Sequence, residues 1–247
     1  MNKQENLNNI KENFYRNIKR ISSLLKIYDN IATKVQGRKG ITETDILRAS
    51  IVMLHASLEE VMRGFAVIFW IEKDSDFINK RVPFYDPENN TKKSADKYNL
   101  GDLCKLDRNM TIQDLLQKSV ENYIYSKFTI NDVKQLNSEI ENIFGKDFID
   151  TLKLLDPHQN IEVGTPKRGK KRKVCLHTEL ENFFTRRHRI VHHADINSIN
   201  GQGNHTARSI NKDLPKKWKE CIEFIVTSLF NEAAKRLIPQ SSSNTTS

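Results

Sequence analysis

The chain has 247 residues, 37% of them hydrophobic and 29% charged, with a formal net charge of +9; that balance excludes a disordered chain, and the length suits one core with an insertion. The positive charge points to polyanions, nucleic acid before an acidic membrane surface. Cys104, Cys175 and Cys221 lack C-x-x-C spacing and fit a reducing cytoplasm rather than a disulfide framework, and the longest apolar stretch, Phe65 to Ile71, excludes a membrane span of roughly 20 residues, with no apolar leader at the N-terminus.

Nine glycines and six prolines leave few breakers, and they gather between long periodic segments, which predicts an all-α fold. Leu7, Ile10, Phe14, Ile18, Ile21, Leu25, Tyr28 and Ile31 recur at steps of three and four, the stripe of one long amphipathic helix that Gly37 and Gly40 close. Thr42 and Asp45 read as the start of a second helix, striped by Leu47, Ile51, Leu54, Leu58, Val61, Phe65 and Ile68 and antiparallel to the first. From 73 to 109 the periodicity fades around Pro83, Asp86-Pro87 and Asn89-Asn90. It returns weakly through Ile112 to Tyr123, Val133 to Ile143 and Phe148 to Leu155, so 73–155 reads as an irregular and helical insertion.

Residues 157–174 read as a loop whose core, Pro166 to Lys173, is PKRGKKRK, Lys or Arg at six of eight positions. A helical pattern resumes through Leu176, Leu180, Phe183, Phe184, Ile190 and Val191. A polar loop with Gly201 and Gly203 follows, and then Asp213 and Pro215 open a last helix striped by Trp218, Ile222, Ile225, Leu229, Ala233 and Leu237. The expected architecture is an up-and-down bundle of four long helices in a single domain, 1–239, with 240–247 a disordered tail.

Thr185 to Asp195 reads TRRHRIVHHAD, three arginines and three histidines around the apolar pair Ile190 and Val191. On a helix Arg187 and His192 lie about 140° apart and roughly 7.5 Å along the axis, so both side chains reach one phosphate. Arg187 offers a planar fork of donors to phosphate oxygens, and an imidazole such as that of His192 gives or takes a proton near neutrality. Cleaving RNA without a metal needs a base for the 2′-OH, an acid for the 5′-oxygen and a cation for the phosphorane. One Arg and one His supply half of that set, and a symmetric homodimer with the motif helices facing each other completes it.

Arg187-His188-Arg189-Ile190-Val191-His192, with the Leu-Glu helix HASLEEVMRGF from His55 to Phe65, resembles the HEPN superfamily, in particular the ribonucleases with R-x-x-x-x-H such as the RiboL-PSP-HEPN type. The resemblance implies a helical bundle, a cytoplasmic toxin or antiphage role, and an antitoxin or other regulatory protein as a possible partner. It makes Arg187 and His192 catalytic, with His188, in the slot where Asn or Asp is commoner, as the third residue of the catalytic set, positioning Arg187 or the phosphate. Cleavage would leave 2′,3′-cyclic phosphate and 5′-OH ends, with no cofactor or metal. Arg186, Arg189 and His193, together with Lys167, Arg168, Lys170, Lys171, Arg172 and Lys173 of the loop, are candidate RNA contacts.

Other readings stand beside these. TRRHRIVHHAD also reads as a solvent-facing basic stripe with Ile190 and Val191 in the core, and the chain as a non-catalytic module that binds RNA or a protein. His188 and His192, four apart, have metal-ligand spacing, with Glu59 and Glu60 the nearest candidate carboxylates; Glu59 alternatively pairs with a motif arginine in the core. His55, His158, His177 and His205 read as ordinary, and Trp218, Phe184 and Phe230 as core rather than as a base-stacking platform.

Overall fold

The computed structural model describes residues 3–32, 40–86, 91–93, 111–148, 160–163, 172–193, 195–197 and 206–237. Helix α1 runs Lys3–Ala32 and helix α2 Ile41–Phe69. The stripe of α1 is buried from Leu7 to Tyr28 apart from half-buried Ile10, and stops at Ile31, which is 37% exposed. All seven stripe residues of α2 are buried. A buried side chain of that size contributes about 1.5–3 kcal/mol, so the two stripes alone commit these segments to amphipathic helices with one buried face each.

The shorter elements show their causes locally. Helix α3, Ser75–Arg81, starts where the Asp74 carboxylate accepts the Phe77 N–H at 2.8 Å. Helix α4, Ile112–Lys127, opens with a reciprocal capping box between Thr111 and Asp114, and those bonds hold the Asp114 carboxyl below its usual pKa. Helix α5, Val133–Phe144, is capped by Asp132, which accepts the Gln135 N–H at 2.7 Å, and ends at Gly145, whose φ of 85° suits a residue without a Cβ. Strands β1 (Phe84–Asp86) and β2 (Thr91–Lys93) form one antiparallel pair, and β3 (Asn160–Val163) and β4 (Arg172–Cys175) another, with Ile161 opposite Val174. Helix α6 then spans Leu176–His193, strands β5 (Ile196–Asn197) and β6 (Thr206–Ala207) pair antiparallel, and helix α7 spans Asp213–Leu237. Asn211 caps α7: its Oδ1 accepts the N–H groups of both Asp213 and Leu214 at 3.1 Å, ahead of Pro215, which has none.

The chain divides into two compact units, 1–61 with 130–247, and 62–129. In the second, Trp70 is buried with its ring 5.2 Å from Phe77 and 6.1 Å from Phe128, and the Arg81 guanidinium lies 4.8 Å from the Phe77 ring centre. In the first, the Tyr15 hydroxyl meets Thr227 at 3.4 Å and Lys212 meets Asp29 at 2.7 Å, so numbers rise along α1 as they fall along α7 and the two are antiparallel. The His55 ring on α2 lies 5.7 Å from Phe184 of α6, and Phe183 lies 5.6 Å from Trp218 of α7. Helix α5 packs against α6 and belongs to this unit, although its place in sequence lies within the insertion read at 73–155.

The fold is all-α, carried by four long helices, α1, α2, α6 and α7. The segment 157–174, expected to be a loop, contains strands β3 and β4. Gly37, Asn89-Asn90, residues 149–155, the loop with Gly201 and Gly203, and the tail 240–247 lie outside the described residues. No helix among the described residues is long and apolar enough to cross a membrane.

Candidate active site

Helix α6 is fixed along its first half by apolar burial and one polar clamp. Leu176, Leu180, Phe183 and Phe184 are buried, and Glu179 accepts the Trp218 Nε1–H at 3.0 Å and Lys217 Nζ at 2.6 Å, both from α7. Trp218 thereby satisfies its indole N–H while its ring fills the core. Phe184 and Phe230 are core residues as expected.

The last half of α6 is held by ions. Asp195, fully buried, accepts Arg186 Nη2 at 2.6 Å and Arg48 Nε of α2 at 2.9 Å, both on Oδ2. Arg48 also donates to Thr44 Oγ1, to Asp45 and, at 2.7 Å, to the Arg208 carbonyl; Arg186 Nη2 reaches the Ser209 carbonyl at 3.2 Å. The Asp195 N–H donates to the Arg189 carbonyl at 3.0 Å and its own carbonyl accepts the Arg208 N–H at 2.8 Å, which ties the end of α6 to the segment entering α7. Asp195 adopts φ 53°, the left-handed region that Asp enters more readily than most residues. Burial pushes the Arg186 pKa down, Asp195 pulls it back up, and the nearby Arg48 and Arg208 lower it further; a guanidinium starts so high that it stays charged.

Of the remaining motif residues, Arg187, Arg189 and Ile190 are half-buried and His188, Val191 and His192 are exposed. His188 and His192 are exposed, with ring centres 4.5 Å apart, and Val191 between them in sequence is 47% exposed. Arg187 is half-buried, and its Nε is buried without a hydrogen-bond partner among the described residues. Arg187 and Val191 are four apart, as are His188 and His192, so the four side chains form two adjacent rows on one helix surface. The surface combines planar cation donors, two titratable rings and an apolar residue left in water.

Beside it, α5 and α6 enclose an open groove of about 880 Å³. Asn137 and Glu141 line it from α5, and Phe184, Glu181, His188 and Arg189 from α6. Asn137 is 3% exposed, yet neither its Nδ2 nor its Oδ1 has a hydrogen-bond partner among the described residues. One end of the groove therefore reaches the motif itself.

The structure thus brings His188 and His192 together, places His188 and Arg189 along the adjoining groove, leaves Arg187 half-buried, and draws Arg186 inward to Asp195. The apolar pair is not in the core, since Ile190 is half-buried and Val191 exposed. The Glu59 Oε1 accepts the Ile130 N–H at 3.1 Å, and His55, buried, contacts the Ile130 carbonyl at 2.7 Å. No group of three or more His, Cys, Asp or Glu side chains among the described residues is placed to hold a metal ion, so His188 and His192 have no third ligand there. Lys173 is exposed on β4; Lys167, Arg168, Lys170 and Lys171 and the side chains of Arg172 and His193 lie outside the described residues. Sequence reasoning did not single out Asn137 or Arg48, and it read Asp195 only as an acidic residue near the motif. Arg48 and Asp195 acquire their roles through contacts between distant segments.

No curated protein and no solved structure matches the chain. The model of the RiboL-PSP-HEPN family matches residues 12–235, a span that takes in most of α1 and α7, all of α2 and α6, and the whole of the Arg187–His192 motif. With an all-α bundle whose helix α6 carries the R-x-x-x-x-H motif, the chain belongs to the RiboL-PSP-HEPN family.

Proposed function

We propose that the chain is a metal-independent endoribonuclease acting as a symmetric homodimer. Family membership associates it with nuclease or RNA-related function. The observation that carries the finer reading is the outward pairing of the His188 and His192 rings at 4.5 Å beside Arg187, on a helix whose opposite side is locked by Asp195 and the core. Both residues are exposed, so a ligand can reach their rings.

In the proposed reaction His192 of one subunit removes the proton of the ribose 2′-OH as that oxygen bonds to phosphorus. The bond from phosphorus to the 5′-oxygen breaks, and His192 of the partner subunit protonates the leaving oxygen. The products are a 2′,3′-cyclic phosphate and a 5′-OH. Arg187 donates to the non-bridging oxygens as charge builds on the phosphorane, and His188, against His192, holds the phosphate or the neighbouring ring in place. The exposed Val191 and half-buried Ile190 supply apolar surface for the second copy. The basic run beside β4 tracks the RNA backbone. In a cell this activity fits a cytoplasmic toxin or antiphage effector held in check by a partner protein.

The test is incubation of the wild type, Arg187→Ala and His192→Ala with total cellular RNA in EDTA, with chemical identification of the ends. The expected result is rapid appearance of cyclic-phosphate ends with the wild type, and cleavage slowed about 10²–10⁴-fold in the His192 variant. Equal RNA binding by all three without cleavage would overturn the nuclease reading in favour of a binding module, and cleavage only on addition of metal would overturn the metal-independent mechanism.

A further inference from the structure

The groove between α5 and α6 holds a feature that the cleavage chemistry does not use. Asn137 is among its lining residues, with an amide donor and acceptor that are buried and unpaired among the described residues, so that an occupant reaches them as the covering side chains shift; a folded chain ordinarily leaves such groups unpaired only where a ligand, an ion or a water completes them. The amide matches any base edge that places an amino group beside a ring nitrogen, and adenine is the usual partner of a bidentate asparagine. Glu141 and Glu181 line the same groove. Their carboxylates accept hydrogen bonds from exocyclic amino groups, which suits a base, while Lys134 and Arg189 in the same lining leave room for the adjoining phosphate. Phe184 contributes apolar surface, and a groove of about 880 Å³ is roomy enough for a nucleoside. His188 and Arg189 form part of the same lining, which sets the groove beside the proposed scissile phosphate.

We infer that this groove is a base-recognition subsite for an amino-bearing base, adenine foremost, flanking the cleaved bond. The inference rests on the nuclease reading for its role in cleavage, while the binding it requires does not depend on catalysis. Asn137→Leu keeps the side-chain size and removes both polar atoms; Asn137→Ala guards against misfolding of the first variant.

The experiment titrates adenosine and uridine, which carry no phosphate, into the full-length protein while the Asn137 side-chain amide is followed by NMR, and in parallel maps the bases flanking each cut in cellular RNA. The expected result is a shift of that amide with adenosine and much less with uridine, and, in both variants, weaker adenosine binding read from the backbone amides of Glu141 and Glu181. The preference for adenine at a flanking position would fall by about 5–150-fold in the variants, the factor equivalent to one bidentate base contact. Adenosine binding at Asn137 without RNA cleavage would support the subsite while defeating the nuclease reading. Cleavage with an unchanged flanking preference in the variants, and no amide shift, would overturn the subsite, leave the nuclease reading intact and turn attention to a peptide as occupant of the groove.

Discussion

Arg48 and Arg186, from helices α2 and α6, donate to a single oxygen, Oδ2 of Asp195, at 2.9 and 2.6 Å. Two cations on one buried carboxylate join the helix that bears the motif to the helix beside it, and the carbonyl of Arg208 takes up a further donor of Arg48. Removal of the carboxylate leaves two guanidinium groups facing each other without their anion. Asp195→Ala is therefore expected to lower stability by about 3–5 kcal/mol in urea unfolding. Combining it with Arg48→Met should cost less than the sum of the two single changes, because the second change removes a charge that the first has stranded.

Val191 tests the dimer. It is 47% exposed, so Val191→Glu is expected to leave the thermal midpoint within about 0.5 kcal/mol of the wild type in stability terms. In sedimentation the same variant should run as a monomer, and RNA cleavage should fall with it. A dimer that persists with full activity would remove this surface from the interface.

The run Lys167, Arg168, Lys170, Lys171, Arg172 and Lys173 tests how RNA is held. Replacing two of its cations by alanine is expected to weaken binding of single-stranded RNA equally across sequences. The slope of log affinity against log salt should fall by about 0.7 for each phosphate that is no longer neutralised. Turnover at saturating RNA should stay at the wild-type level, which separates these residues from Arg187 and His192.

Cys221 predicts a pH dependence of stability. Burial pushes its thiol from 9.0 up to about 12, with Glu179 adding to the rise and Lys217 opposing it. Because the folded state keeps the proton that the unfolded chain loses, this contribution is intact below about pH 9 and declines as pH rises from about 9 towards 12. Melting curves across that window should fall more steeply for the wild type than for Cys221→Ala. Iodoacetamide should label Cys221 only when the chain unfolds.

The long helices were legible because burial repeats with the period of the helix: every stripe residue of α2 that the sequence marks is in the core. The motif was legible as a density of Arg and His. What sequence could not separate was the fate of Arg186 from that of Arg187, adjacent and chemically identical, since only the return of the chain at Asp195 and Arg208 draws one inward. The strands β3 to β6 are two to four residues long, too short to establish an alternating pattern. Asn137 looked like an ordinary polar residue on a weak stripe, and its isolation exists only because α5 packs on α6.

The backbone at Asp195 places two unrelated demands on one position. Its φ of 53° favours glycine, asparagine or aspartate, and the two arginines require a carboxylate. Glycine would relax the chain and lose the anion; asparagine would keep the turn and lose the charge; glutamate would restore the charge on a backbone it adopts poorly. Aspartate alone meets both conditions, which makes this position the narrowest point in the set of sequences able to build this end of the helix.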